Sequence, residues 1–158
     1  MHLHPHCFSF ALIDNDLNKI VEFDAKVLNQ PLNKFLVADS ISMWLQEHQQ
    51  VLSLPFKNSK VAIFSPEFTI LPDKTDKPKE VFNLLGYSQN EHTTYLKNKL
   101  DDNFYVYYSL PDKLINFIEN NLINVEFYCS DFGLLKFYNS KLSFKNYIAA
   151  NLYGEELT

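Results

Sequence analysis

The chain has 158 residues, 46% of them apolar and 15% aromatic, which is enough to bury the core of one ordinary domain and excludes intrinsic disorder and collagen-like repeats. Its three glycines, Gly86, Gly133 and Gly154, lie far apart, so no glycine-rich phosphate loop can be written with them. All fourteen basic residues are lysine and the net charge is −5; positive potential and guanidinium forks are both lacking, and no nucleic-acid partner is expected.

The N-terminus, Met1-His2-Leu3-His4-Pro5-His6, has no basic stretch of the kind that opens a signal peptide. The near-apolar run from Phe8 to Ile13 has six residues and contains Ser9, against the roughly 20 that a bilayer requires, so no membrane span is expected. The run Cys7–Ile13 reads as a strand with Phe8, Phe10 and Leu12 on one face. A polar turn at 14–18 leads to a second strand over Ile20–Val27, and together they give the signal of a β-hairpin. Residues 28–38 fit either a loop or a third strand. Asp39 or Ser40 then stands where a helix N-cap belongs, followed by Ile41, Trp44, Leu45, His48 and Leu52 along one helical face.

Short strands are expected at Lys60–Phe64 and Phe68–Leu71, then a lysine-rich loop, a helix over Glu80–Leu85 and a C-cap at Gly86. His92–Lys97 and Phe104–Ser109 read as strands. Pro111 opens a helix whose apolar side carries Leu114, Ile118 and Leu122, with Phe117 alongside. Val125–Cys129 is the next strand, and Asp131 caps a helix that runs to Lys141. Strands alternating with helices predict an α/β fold: a mixed sheet opened by an antiparallel hairpin and covered by helices. Residues 1–143 form that lobe. Phe144–Tyr153 reads as a fresh strand entering a turn at Gly154, so residues 144–158 are expected to begin a second, truncated lobe, or else to pair with the existing sheet.

This order of elements resembles the first lobe of the actin-like ATPase superfamily. The stretches Phe8-Ser-Phe-Ala-Leu-Ile-Asp14, Phe68-Thr-Ile-Leu-Pro72, Lys97-Asn-Lys-Leu100 and Pro111-Asp-Lys-Leu114 are similar to a family of uncharacterised, degenerate bacterial members of it. The resemblance implies a ribonuclease H-like lobe with a mixed five-stranded sheet whose second strand is antiparallel to the rest. Superfamily ATPases end the first strand in an Asp followed by Gly. Asp14 matches that Asp by position, but Asn15 and Asp16 follow it. A second carboxylate in place of a phosphate repels it, at on the order of 4 kcal/mol for unit charges about 4 Å apart near a surface. The resemblance therefore implies a nucleotide site that is vestigial at Asp14 and Asp16, and no cofactor is expected.

Other candidates have plain alternatives. His2, His4 and His6 alternate, so an extended strand aims three imidazoles to one side beside Cys7, a set suited to zinc or nickel. Pro5 interrupts strand pairing there, and a frayed tail or an adventitious site is the alternative. Asp14, Asp16 and Asn18 echo a calcium loop, but Lys19 and Ala25 occupy the positions of its Gly and bidentate Glu, so turn chemistry explains them better. Asp131-Phe132-Gly133 spells a kinase metal motif without the rest of the kinase set. Tyr105, Tyr107 and Tyr108 offer an aromatic face for a partner, or else strand packing. Two cysteines, Cys7 and Cys129, are too few for a disulfide framework and fit free thiols in the cytoplasm. The leading expectation is a non-catalytic scaffold or protein-interaction domain whose partner is its own second lobe or another protein. Its rivals are a nucleotide-binding switch or weak ATPase that needs a second lobe, and a metal-binding module on the N-terminal histidines.

Overall fold

The computed structural model describes residues 1–28, 37–52, 54, 56–72, 77–87, 92–141, 152–153 and 156–157. The chain opens with three strands in a meander, β1 (His2–His4), β2 (Cys7–Asp14) and β3 (Lys19–Val27). Helix α1 (Val37–Glu47) and the short α2 (Gln49–Leu52) lead to β4 (Ser59–Ile63). An excursion follows, made of β5 (Phe68–Pro72), α3 (Pro78–Leu84), β6 (Thr93–Lys99) and β7 (Phe104–Pro111). Helix α4 (Asp112–Asn121), β8 (Val125–Cys129) and α5 (Phe132–Lys141) complete the main layer. Two short strands, β9 (Leu152–Tyr153) and β10 (Glu156–Leu157), pair antiparallel. Residues 144–151, where the sequence predicts a strand, lie outside the described residues.

The main sheet has five strands in the order β3-β2-β1-β4-β8. Strand β2 runs antiparallel to both β1 and β3, while β1, β4 and β8 are parallel. The mixed sheet with an antiparallel second strand is thus present. Its first strand is His2–His4, however, and Cys7–Ile13 belongs to the second. The reason is local. Pro5 falls in the two-residue turn rather than in a ladder, so it costs no strand pairing. Leu3 is buried in the core, and its carbonyl accepts the Phe64 amide at 2.8 Å, while the Met1 carbonyl accepts that of Ala62 at 2.9 Å. The histidine segment is a central strand, not a frayed tail.

One face of this sheet carries Leu3, Phe8, Phe10, Val61, Ile63 and Cys129. Helix α1 lays Ile41, Trp44 and Leu45 on it, as their spacing predicts, with the Trp44 ring 5.6 Å from Phe8 and 5.7 Å from Phe10. Leu114, Ile115 and Ile118 of α4 complete the same cluster. The helix begins at Val37, so Asp39 and Ser40 lie within its first turn and neither is the N-cap.

The excursion forms a separate three-stranded antiparallel sheet, order β5-β7-β6, which the sequence did not separate from the main one. Its helix α3 ends as Gly86 leads one to expect. Gly86 has φ +76°, and the Gly86 and Tyr87 amides donate to the Asn83 and Phe82 carbonyls, which closes a Schellman motif. Asn98 of β6 joins the two sheets: its amide nitrogen donates to the Phe127 carbonyl at 2.8 Å and its oxygen accepts from the Cys129 amide at 3.1 Å. A single side chain thereby pairs the open edge of β8 as a neighbouring strand would.

Candidate functional site at the strand switch point

In an open α/β sheet a ligand crevice lies beyond the carboxyl ends of parallel strands, where the chain leaves one strand to the left and its neighbour to the right. Here that point lies between β1, which turns back into β2, and β4. The turn after β1 is Pro5-His6, and its other walls are Phe64-Ser65 after β4 and Ser130-Asp131 after β8.

His4 dominates the crevice and is only 3% exposed. Its ring meets that of Phe64 edge-on at 4.8 Å and lies 5.5 Å from His6 and 6.0 Å from His2. The His6 amide donates to His4 Nδ1 at 3.2 Å, which places the ring proton of a neutral His4 on Nε2. The amide of His6 is therefore spent locally, and Pro5 has none to give. Burial lowers the pKa of His2, the adjacent Met1 ammonium lowers it further, and the Asp131 carboxylate opposes both. Burial also lowers the terminal amine, which donates to the Lys60 carbonyl at 2.8 Å.

The right-hand wall is fixed by hydroxyls. Ser65 Oγ lies 2.9 Å from the Ser109 carbonyl and 3.0 Å from that of Glu67, and Ser109 Oγ donates to the Glu67 carboxylate at 2.7 Å. These bonds pin the β4–β5 connection to β7. The Asp131 carbonyl accepts from the Leu135 amide at 2.9 Å, so Asp131 is the N-cap of α5, as its position before Phe132 predicts.

The other candidates lie elsewhere. Asp14 ends β2, so it lies at the far end of the sheet from the Pro5-His6 turn; eight residues at about 3.3 Å each separate the two ends by roughly 25 Å. Its carboxylate accepts the amides of Asp16 at 2.9 Å and Leu17 at 3.0 Å, which is the chemistry of an Asx turn. Among the described residues no group of three or more His, Cys, Asp or Glu is placed to hold a metal ion, although His2, His4 and His6 stand in a row. Both cysteines are free, and burial raises both thiol pKa values, that of Cys129 to about 11.

The tyrosine cluster is mostly core. Tyr107 and Tyr108 are buried, 2% and 0% exposed, so three rings do not form a surface. Only Tyr105 is half-buried, with Lys97 Nζ 4.9 Å above its ring. Two features escape a reading by periodicity. His4 as the filler of the crevice is invisible while its segment reads as a tail. The exposure of Val21, Phe23 and Val27 on β3 is invisible because apolar strand residues ordinarily signal burial.

Among helices of the described residues, none is long and apolar enough to cross a membrane. A crystal structure at 1.85 Å of a Bacteroides thetaiotaomicron protein with an actin-like ATPase fold and unknown function superposes with a TM-score of 0.75 at 17% identity. The match covers 89% of this chain and 54% of that one, so this chain spans about half the length of that neighbour. The fold is actin-like. No curated protein matches the sequence. The model of one family, described as "Protein of unknown function (DUF3822)", matches residues 1–153, and the chain belongs to that family.

Proposed function

We propose that this chain is a non-catalytic scaffold, a protein-interaction domain on an actin-like lobe that no longer binds nucleotide. The observation that carries the reading is the content of the switch-point crevice. A phosphate cradle needs free backbone amides approached without a Cβ in the way. Here Pro5 offers no amide, the His6 amide is bonded to His4, and the His4 ring packs on Phe64 in the same space. Asp14 and Asp16 serve the β2–β3 turn in this reading, at the end of the sheet away from the crevice, and take no part in a phosphate or metal site.

Its partner is its own second lobe or another protein; the first is supported by a solved neighbour about twice as long as the stretch matched here. The two free cysteines fit the reducing cytoplasm. Isothermal titration of the protein with ATP and Mg²⁺ is expected to show no binding heat, and micromolar affinity overturns the reading in favour of a nucleotide switch. Zinc titration of wild type against His2→Asn and His6→Asn, which keep the central strand β1 in place, tests the metal alternative: zinc affinity lost in variants that stay folded by circular dichroism supports that module.

A further inference from the structure

The two edges of the main sheet are treated differently. At one edge Asn98 occupies the backbone of β8. At the other, β3 ends the sheet, and no other strand among the described residues pairs with its outer side. Every residue of β3 except Asp24 is exposed. An open edge is ordinarily guarded by proline, by inward charges or by a bulge; β3 does carry inward charges, but Asp24 and Lys26 among them are each partnered within the chain, by His48 and Glu47. The only irregularity lies between Leu12 and Ile13 opposite Val21, so the stretch Glu22–Val27 is regular and contains no proline.

The register with β2 sorts this stretch into two faces. Phe10 lies opposite Asp24, which puts Glu22, Asp24 and Lys26 on the α1 side. There Asp24 Oδ2 lies 2.8 Å from His48 Nε2 and Lys26 Nζ 3.1 Å from Glu47 Oε2. The other face carries Val21, Phe23 and Val27, exposed by 67%, 64% and 78%. It continues onto the half-buried Ala11 and the exposed Ile13 of β2.

We propose that β3 pairs antiparallel with β3 of a second copy of this chain, about a two-fold axis at Ala25. The occupant is indicated by self-complementarity. Centred on Ala25, Asp24 of each copy faces Lys26 of the other, and Phe23 faces Val27; opposite charges and aromatic–β-branched pairs are the cross-strand neighbours that stabilise antiparallel strands. Moving the axis by one residue to Asp24 sets that carboxylate against itself, and moving it to Phe23 sets Glu22 against Asp24 twice. Pairing at Ala25 sets Asp24, held by His48 in its own copy, beside Lys26 of the other, which is held by Glu47 there. It also sets the apolar side chains of the two copies side by side across the seam, and the interface is isologous, so it closes as a dimer rather than a fibre. This proposal does not rest on the loss of nucleotide binding, since it is argued from the outer edge of β3 and not from the crevice between β1 and β4.

Sedimentation equilibrium of the 158-residue chain from micromolar to sub-millimolar concentration tests it. Wild type is expected to dimerise. Asp24→Lys alone and Lys26→Asp alone each place like charges opposite one another twice and are expected to remain monomeric, with near-ultraviolet circular dichroism showing both folded. Mixed in equal amounts, the two variants are complementary at both pairs and are expected to form a heterodimer. A monomeric wild type, a dimer that survives either reversal, or a mixture of folded variants that stays monomeric overturns the proposal. Should either variant fail to fold, Phe23→Lys, which places a charge opposite Val27 on the exposed face, is expected to abolish the wild-type dimer, and persistence of the dimer overturns the proposal.

Discussion

His48 Nε2 lies 2.8 Å from Asp24 Oδ2, so the residue just beyond helix α1 is tied to the edge strand β3. Its other ring nitrogen lies 2.8 Å from the Trp44 carbonyl, and the ring stands edge-on to Phe10 at 5.1 Å. One side chain thus joins helix end, edge strand and core. His48→Ala is expected to cost about 1–2 kcal/mol, mostly in lost packing and hydrogen bonding, because a half-exposed ion pair contributes at most about 1 kcal/mol. Asp24→Asn is expected to cost less than His48→Ala. Urea denaturation reads both, and equal midpoints for His48→Ala and wild type would remove the clamp.

Asn98 carries a heavier duty than its polar, half-buried position suggests. Its two bonds to the β8 backbone satisfy a carbonyl and an amide that no main sheet strand reaches. Asn98→Ala leaves both short of a partner, at an expected cost of about 1–3 kcal/mol. Amide hydrogen exchange at Cys129 should accelerate in the variant, while that at Ile63, inside the β1–β4–β8 ladder, changes only with global stability. Unchanged protection of Cys129 would show that the side-chain pairing does not seal the edge.

The main architecture was legible because its signals are local and periodic. Ile41, Trp44 and Leu45 mark a helix face by spacing alone, and Phe8 and Phe10 mark the strand face that receives it. The first strand was obscured because His2 and His4 are polar by type. Their burial depends on β4 and Phe64, some sixty residues away, which no window around the N-terminus contains. The placement of Asp14 fails for the same reason: losing one strand at the start shifts every turn by one position and carries the acidic turn to the wrong end of the sheet. The second sheet is a matter of pairing choice, since β5 reads the same beside β4 or beside β7. Nothing in the residues of Tyr107 and Tyr108 distinguishes a buried ring from an exposed one before that choice is known.

Trp44 is the single tryptophan and is 1% exposed, against Phe8 and Phe10. Its emission should be blue-shifted in the native protein and move to the red in a single transition on unfolding. Trp44→Ala removes the largest side chain of the core and is expected to cost about 3–5 kcal/mol. A chain of ordinary stability loses a large part of its margin at that cost. The loss should appear as a lowered urea midpoint, or as loss of the cooperative transition by circular dichroism. A fall below about 1 kcal/mol would mean that the α1–β2 contact is far looser than its ring distances imply.

Cys129 makes stability depend on alkaline pH in a direction that can be worked out. It is buried at the end of β8, and burial raises its thiol pKa from 9.0 to about 11. Between those values the unfolded chain loses the thiol proton while the folded chain keeps it, so the folded state binds more protons and stability falls as pH rises. Below pH 9 the thiol is protonated in both states and contributes no slope; above about 11 the loss is complete. The full effect is on the order of 3 kcal/mol, since each tenfold difference in acidity between the two states is worth about 1.4 kcal/mol. Cys129→Ala lowers stability at every pH through the cavity it leaves, but it should flatten this part of the profile. Urea midpoints of both proteins at intervals from about pH 8 to 11 test the point, and parallel profiles would show that the Cys129 thiol is not what the alkaline loss reports. Alkylation offers a second readout: at about pH 8 the half-exposed Cys7 should react first, and Cys129 only as fast as the fold opens.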